Sequence, residues 1–65
     1  LGVEWELFLS VLDEKHRLVI ILHYAQGYKV REIARIMEVS ESSVKKYLVQ
    51  ARSKLEEMYA KGELK

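Results

Sequence analysis

The sequence predicts an all-α fold, a four-helix domain that contains a helix-turn-helix and no winged element. Three observations carry that prediction. Apolar residues recur at helix period over nearly the whole chain, proline is absent and glycine scarce, and a short helical segment is followed after a few residues by a long one. All 65 residues are expected to form a single domain, with about 1–28 as supporting helices and about 29–61 as the helix-turn-helix with its long recognition helix.

The first helix is expected over about 3–12, where Trp5, Phe8, Leu9 and Leu12 share one stripe. Asp13 can accept free backbone amides of the next helix, which runs to about residue 26. Gly27 then supplies the left-handed turn that ends it. A third helix is predicted over about 30–37, with Val30, Ile33, Ala34 and Met37 facing inward. Ala34 is small where two helices would cross, and Val39 is apolar where the turn must plug the core. Ser40 stands as N-cap of a final helix reaching about residue 61 and closed by Gly62. Its buried seam is Val44, Leu48, Ala51, Leu55 and Met58.

Composition excludes several functions. Without cysteine there is no disulfide, no thiolate zinc site and no cysteine nucleophile. The longest unbroken apolar run, residues 18–22, is far short of the ~20 residues a bilayer requires. Nothing resembles a signal peptide, which fits a cytoplasmic protein; the start at Leu1 rather than Met is what an excised domain or processed chain would have. His16 and His23 stand seven apart on one helix face, roughly 10 Å in rise, too far to share a metal directly. No glycine-rich phosphate loop or nucleophile motif is present, so neither catalysis nor a cofactor is expected.

Net charge is only +1, but it is unevenly spread. Lys29, Arg31, Arg35, Lys45, Lys46, Arg52 and Lys54 outnumber Glu32, Glu38 and Glu41 between residues 29 and 55, whereas acids outnumber bases before residue 29. From Glu41 to Glu56 there is no intervening acid. At roughly 100° per residue, Ser42, Lys46, Val49 and Ser53 lie opposite the apolar seam. Ser43 and Gln50 lie towards one edge of that face, Lys45 and Arg52 towards the other. A helix entering the major groove needs short hydroxyls near its N-terminus, longer donors behind them, and no carboxylates facing phosphate. Gln50 is of a type that bonds adenine in a bidentate way, Lys46 of a type that reaches guanine acceptors, and Val49 can touch a thymine methyl. Lys45, Arg52, Lys29 and Arg31 are phosphate anchors in this reading. The alternative is that Ser, Lys and Gln are simply solvated residues of a long helix.

Apolar residues of the first two helices exceed one stripe. Leu7, Val11, Val19 and Ile20 either close the core or form a partner-binding surface, where each buried side chain contributes ~1.5–3 kcal/mol.

The stretch "GYKVREIARIMEVSESSVKKYLVQARSKL" resembles region 4 of sigma-70-type RNA polymerase sigma factors, in particular the extracytoplasmic-function group. Gly27, Glu32, Ile33, Ala34, Ser40, Val44, Lys45, Leu48, Ala51, Arg52 and Leu55 fall on that family's recurrent positions, and "LDEKHRLVIILHYAQG" is similar to its upstream segment. The resemblance runs from residue 12 to about 55. It implies recognition of a promoter minus-35 element in double-stranded DNA, as a monomer, and docking on the β flap of RNA polymerase. It also implies restraint by an anti-sigma factor. By resemblance Ser42, Ser43, Lys45, Lys46, Val49, Gln50 and Arg52 would line the DNA. Promoter melting belongs to a different domain of those factors.

Departures from the pattern bear on these expectations. Glu38 replaces the turn glycine, at a left-handed cost of order 1 kcal/mol. Lys29 replaces the serine cap of the third helix. Tyr47 and Gln50 stand where arginines are common, so base preference is not inherited, and Tyr47, beside the seam, reads as half-buried packing. Two alternatives use the same residues. One is the LuxR-type output domain of response regulators, which dimerises and reads paired half-sites. The other is a sigma-like interaction module that has lost DNA binding.

Overall fold

The computed structural model describes residues 3–62, so the outermost positions of the predicted 1–65 domain lie outside the described residues. Its elements are α1 (Val3–Val11), α2 (Glu14–Ile20), a π-helical turn (Ile21–Ala25) continuing α2, α3 (Val30–Met37) and α4 (Glu41–Ala60). There is no strand among the described residues, in agreement with the all-α expectation. Nor is any described helix long and apolar enough to cross a membrane.

Each boundary has a local cause. The Asp13 carboxylate accepts the His16 amide at 3.3 Å and opens α2. Arg17 closes α1 from the side: Nε donates to the Leu9 carbonyl at 3.0 Å, which also accepts the Leu12 N–H at 3.3 Å, and Nη2 donates to the Leu12 carbonyl at 2.8 Å, past the end of the helix. α3 starts without a side-chain acceptor on Lys29, but Glu32 Oε1 accepts the Lys29 N–H at 2.8 Å. α3 ends on Glu38, left-handed at φ 57°, which lets the Val39 amide reach back to the Ala34 carbonyl at 2.9 Å. Ser40 Oγ accepts the Ser43 amide at 3.1 Å and begins α4. Gly62, at φ 75°, follows its end.

The second helix differs from the expectation in its last turn. Residues 21–25 widen to the π form, so that Gln26 N–H donates to the Ile21 carbonyl and Tyr28 N–H to that of Leu22. Gly27, at φ 79°, lets the chain reverse between these two bonds.

Packing forms two clusters that meet at Leu48. Phe8, Leu12, Ile20, Ala51 and Met58 are buried in one, with Trp5, Leu9 and Leu55 against them. Val19, Ile33, Ala34 and Val44 form the other, flanked by Val30, Met37, Val39 and Tyr47. α4 therefore supplies both clusters along one seam, as its spacing predicts. The two apolar residues that end α2 need correction. Val19 and Ile20, candidates for a partner surface, are 0% and 3% exposed. They point in opposite senses, Val19 into the α3 cluster and Ile20 into the α1 cluster, because α2 is covered on two sides. Leu7 and Val11 stay exposed on the outside of α1.

Candidate nucleic-acid interface

α4 has its apolar seam committed to the core, and this fixes what it turns outward. Val44 and Ala51 are wholly buried, so residues half a turn away face solvent. Ser42, Lys46, Val49 and Ser53 are exposed there, Val49 to 64%. Lys45, Gln50 and Arg52 are also exposed, while Ser43 is half-buried. Ser43 takes part in the cap: Ser40 Oγ lies 3.0 Å from its hydroxyl oxygen. An open groove on the Lys45 and Arg52 side is shared with Tyr24, Leu48 and Val49. Lys29, at the N-cap of α3, and Arg31, on its first turn, are exposed and belong to the other half of the helix-turn-helix.

The cations of this surface are electrostatically idle. Among the described residues, none of Lys29, Arg31, Lys45, Lys46 and Arg52 is in an ion pair. Ion pairs on α4 are confined to its C-terminal end, where Glu57 meets Lys54, the last cation of the acid-free stretch, at 3.7 Å and Lys61 at 2.9 Å. Those two cations hold the Glu57 carboxyl below its usual range, with the Lys61 hydrogen bond the larger cause. Unpaired lysines and arginines on an acid-free helix face are free to displace counterions from a polyanion.

The other edge of the face is not free. Gln50 Oε1 lies 2.6 Å from His16 Nε2, and the other ring nitrogen of His16 is bonded to Asp13 Oδ1. That hydrogen bond is the main cause holding the Asp13 carboxyl below its ordinary value. The His16 ring also meets Tyr47 edge-on at 5.2 Å between centroids, and Lys15 Nζ sits 5.8 Å from the centre of the Tyr47 ring. Tyr47 is half-buried, as its position beside the seam predicts.

His16 thus enters the site, although the sequence weighs it only as a metal ligand, and against that role, and gives it no other. His23 does not, since its Nδ1 is 2.9 Å from the Tyr28 carbonyl oxygen. Tyr24 enters too, carried by the π turn to the Arg52 edge.

A second, apolar feature adjoins the outward face of α4, sharing Tyr24, Leu48 and Arg52 with the open groove there. Trp5 and Phe8 of α1, Ile20, Tyr24 and, from α4, Leu48, Arg52 and Leu55 line a groove of about 250 Å³. The Trp5 and Phe8 rings are 5.9 Å apart and tilted at 56°. Of the four partner candidates only Ile20 lines this groove; Leu7 and Val11 lie outside it.

Comparison with known proteins agrees with this architecture. The family model described as "Sigma-70, region 4" matches residues 3–55. The chain is similar to the "ECF RNA polymerase sigma factor SigM" of Bacillus subtilis (strain 168), at 31% identity over 55 residues. The match covers 85% of this chain and 34% of the relative, so the chain spans about a third of that protein's length. No solved structure matches at a significant level. The chain belongs to the sigma-70 region 4 family, the non-catalytic, DNA-binding helix-turn-helix domains through which sigma factors serve RNA polymerase in transcription.

Proposed function

We propose that this chain recognises a promoter minus-35 element through the outward face of α4, as a monomer, while docked on the β flap of RNA polymerase. The observation that carries the reading is the acid-free run from residue 42 to 55, in which Lys45, Lys46 and Arg52 have no ion-pair partner among the described residues and only Lys54, near its end, meets Glu57. In this reading Ser42, Lys46, Val49 and Gln50 face base edges, and Ser43, near the helix N-terminus, lies against the phosphate backbone. Lys45 and Arg52 on one edge, with Lys29 and Arg31 from α3, anchor phosphates and set the register.

The apolar groove at Trp5, Phe8, Tyr24 and Leu55 is the natural seat for the polymerase contact, since it lies on the supporting side of the helix-turn-helix. Exposed Leu7 and Val11 offer a separate apolar edge on α1 for an anti-sigma factor. Both contacts would be made in the cytoplasm.

Selection from a randomised duplex library at low salt tests the DNA reading. A short asymmetric motif is the expected result. A palindromic pair of half-sites would favour the LuxR-type arrangement, and no enrichment would favour a pure interaction module.

A further inference from the structure

We propose that His16, on α2, presets the Gln50 side chain and so helps determine which base pair α4 prefers, an inference that rests on the DNA reading above. The two residues are 34 positions apart in sequence, yet their side chains are hydrogen-bonded at 2.6 Å. A lone exposed glutamine on a helix samples many rotamers and loses that freedom only on binding. Gln50 instead meets a ring that is itself held in place.

Two contacts fix that ring, and a third anchors one of them. Asp13 bonds its Nδ1, and because a carboxylate is acceptor-only, the Nδ1 proton is committed to that side. The same Asp13 oxygen accepts the His16 amide as the N-cap of α2, so the carboxylate is anchored by helix geometry. Tyr47, from the turn of α4 before Gln50, packs edge-on against the ring. The His16 side chain is consequently only 17% exposed, while Gln50 remains open to solvent.

The chemistry of the amide turns this into a reading device. Whichever half of the Gln50 amide faces His16 Nε2, the other half is turned outward. An amide carries two donors and two acceptor sites, so one bond to the ring leaves a donor and an acceptor for a base edge. A side chain fixed before binding discriminates better than one ordered during it. His16 is accordingly a positioning residue: it touches Gln50, not the base.

The test uses the 65-residue chain, the duplex selected from the library, and its single-base-pair variants, with affinity read by fluorescence anisotropy. His16→Phe keeps a ring against Tyr47 and removes the bond, and His16→Gln restores an amide partner. Phe is expected to relax preference at the same base pair that Gln50→Ala relaxes, by roughly tenfold, the scale of one base-specific contact. Other positions should be unmoved, His16→Gln should recover part of the loss, and His16→Phe should add nothing in a Gln50→Ala background. Equal weakening on all duplexes, or unchanged preference, would overturn the proposal. If the wild-type chain selects no site, the DNA reading itself fails. The Gln50 side-chain amide resonances of the free chain then decide the positioning alone. They should shift in His16→Phe, and unchanged resonances would refute it.

Discussion

The carboxylate of Glu32 accepts the backbone N–H of Lys29 at 2.8 Å, closing the start of α3 from one side only. The reciprocal bond needs an oxygen on residue 29 to accept the Glu32 amide, and a lysine has none. Lys29→Ser should therefore complete the capping box and raise stability by roughly 1 kcal/mol. The same change removes a proposed phosphate anchor, so the slope of log affinity against log salt should fall by about one. Urea unfolding and salt-titrated DNA binding together separate the two effects. A variant that gains stability and keeps the full slope would take Lys29 out of the DNA contacts.

Glu38 is the only residue other than glycine with positive φ among those described, at φ 57° and ψ 46°. A side chain in this region costs roughly 1–2 kcal/mol, part of which glycine forfeits through its freer unfolded state. Glu38→Gly should stabilise by about 0.5–1 kcal/mol with the helix-turn-helix unaltered. Denaturant unfolding checks it; a loss of stability would mean that the Glu38 side chain contributes something its exposed position does not suggest.

Those two positions were legible in the sequence because caps and turns are local. Ser40, Gly27 and Gly62 marked their boundaries for the same reason, and the period of Val44, Leu48, Ala51 and Met58 announced the seam of α4. Val19 and Ile20 were not legible. They lie in an all-apolar run that has no period to say which side faces in, and only the two clusters on either side of α2 decide it. The π turn at residues 21–25 depends on how Gly27 and Tyr28 fold back, which no residue type announces. The partnership of His16 with Gln50 joins residues 34 apart, beyond any local pattern.

Buried Ile20 and exposed Val11 should respond differently to truncation. Ile20→Ala removes a side chain 3% exposed in the α1 cluster and should cost about 2–5 kcal/mol. Val11→Ser, on a residue 43% exposed, should stay within about 0.5 kcal/mol. Thermal unfolding of both variants measures this directly. Similar losses would mean that α1 packs more tightly over its outer face than its exposure implies.

Acid should unfold the protein partly through two carboxylates. The His16 hydrogen bond holds Asp13 below 3.8, and Lys61 followed by Lys54 holds Glu57 below 4.5. In that range the folded state binds fewer protons than the unfolded chain, so stability rises with pH. The contribution is present above the ordinary values and is lost as pH falls through the lowered ones. Asp13→Asn keeps a capping oxygen and removes the titration. Urea midpoints measured from about pH 5 downward should fall less steeply in this variant than in the wild type. An unchanged acid slope would show that the Asp13–His16 contact does not persist in solution.

Reading and anchoring residues should fail in different ways. Gln50, fixed by His16 at one edge of the face, offers an amide to a base, whereas Lys45 at the other edge offers only charge. Gln50→Ala should therefore relax preference at one base pair, losing roughly 1–3 kcal/mol of discrimination, with the salt slope intact. Lys45→Ala should weaken every duplex alike and reduce the salt slope by about one, because a phosphate contact carries no sequence information. Titrating both variants against the selected site, its single-base-pair variants and a scrambled duplex at several salt concentrations separates the two signatures. Should the two behave identically, the two edges of α4 do not divide their work, and the face binds DNA by charge alone.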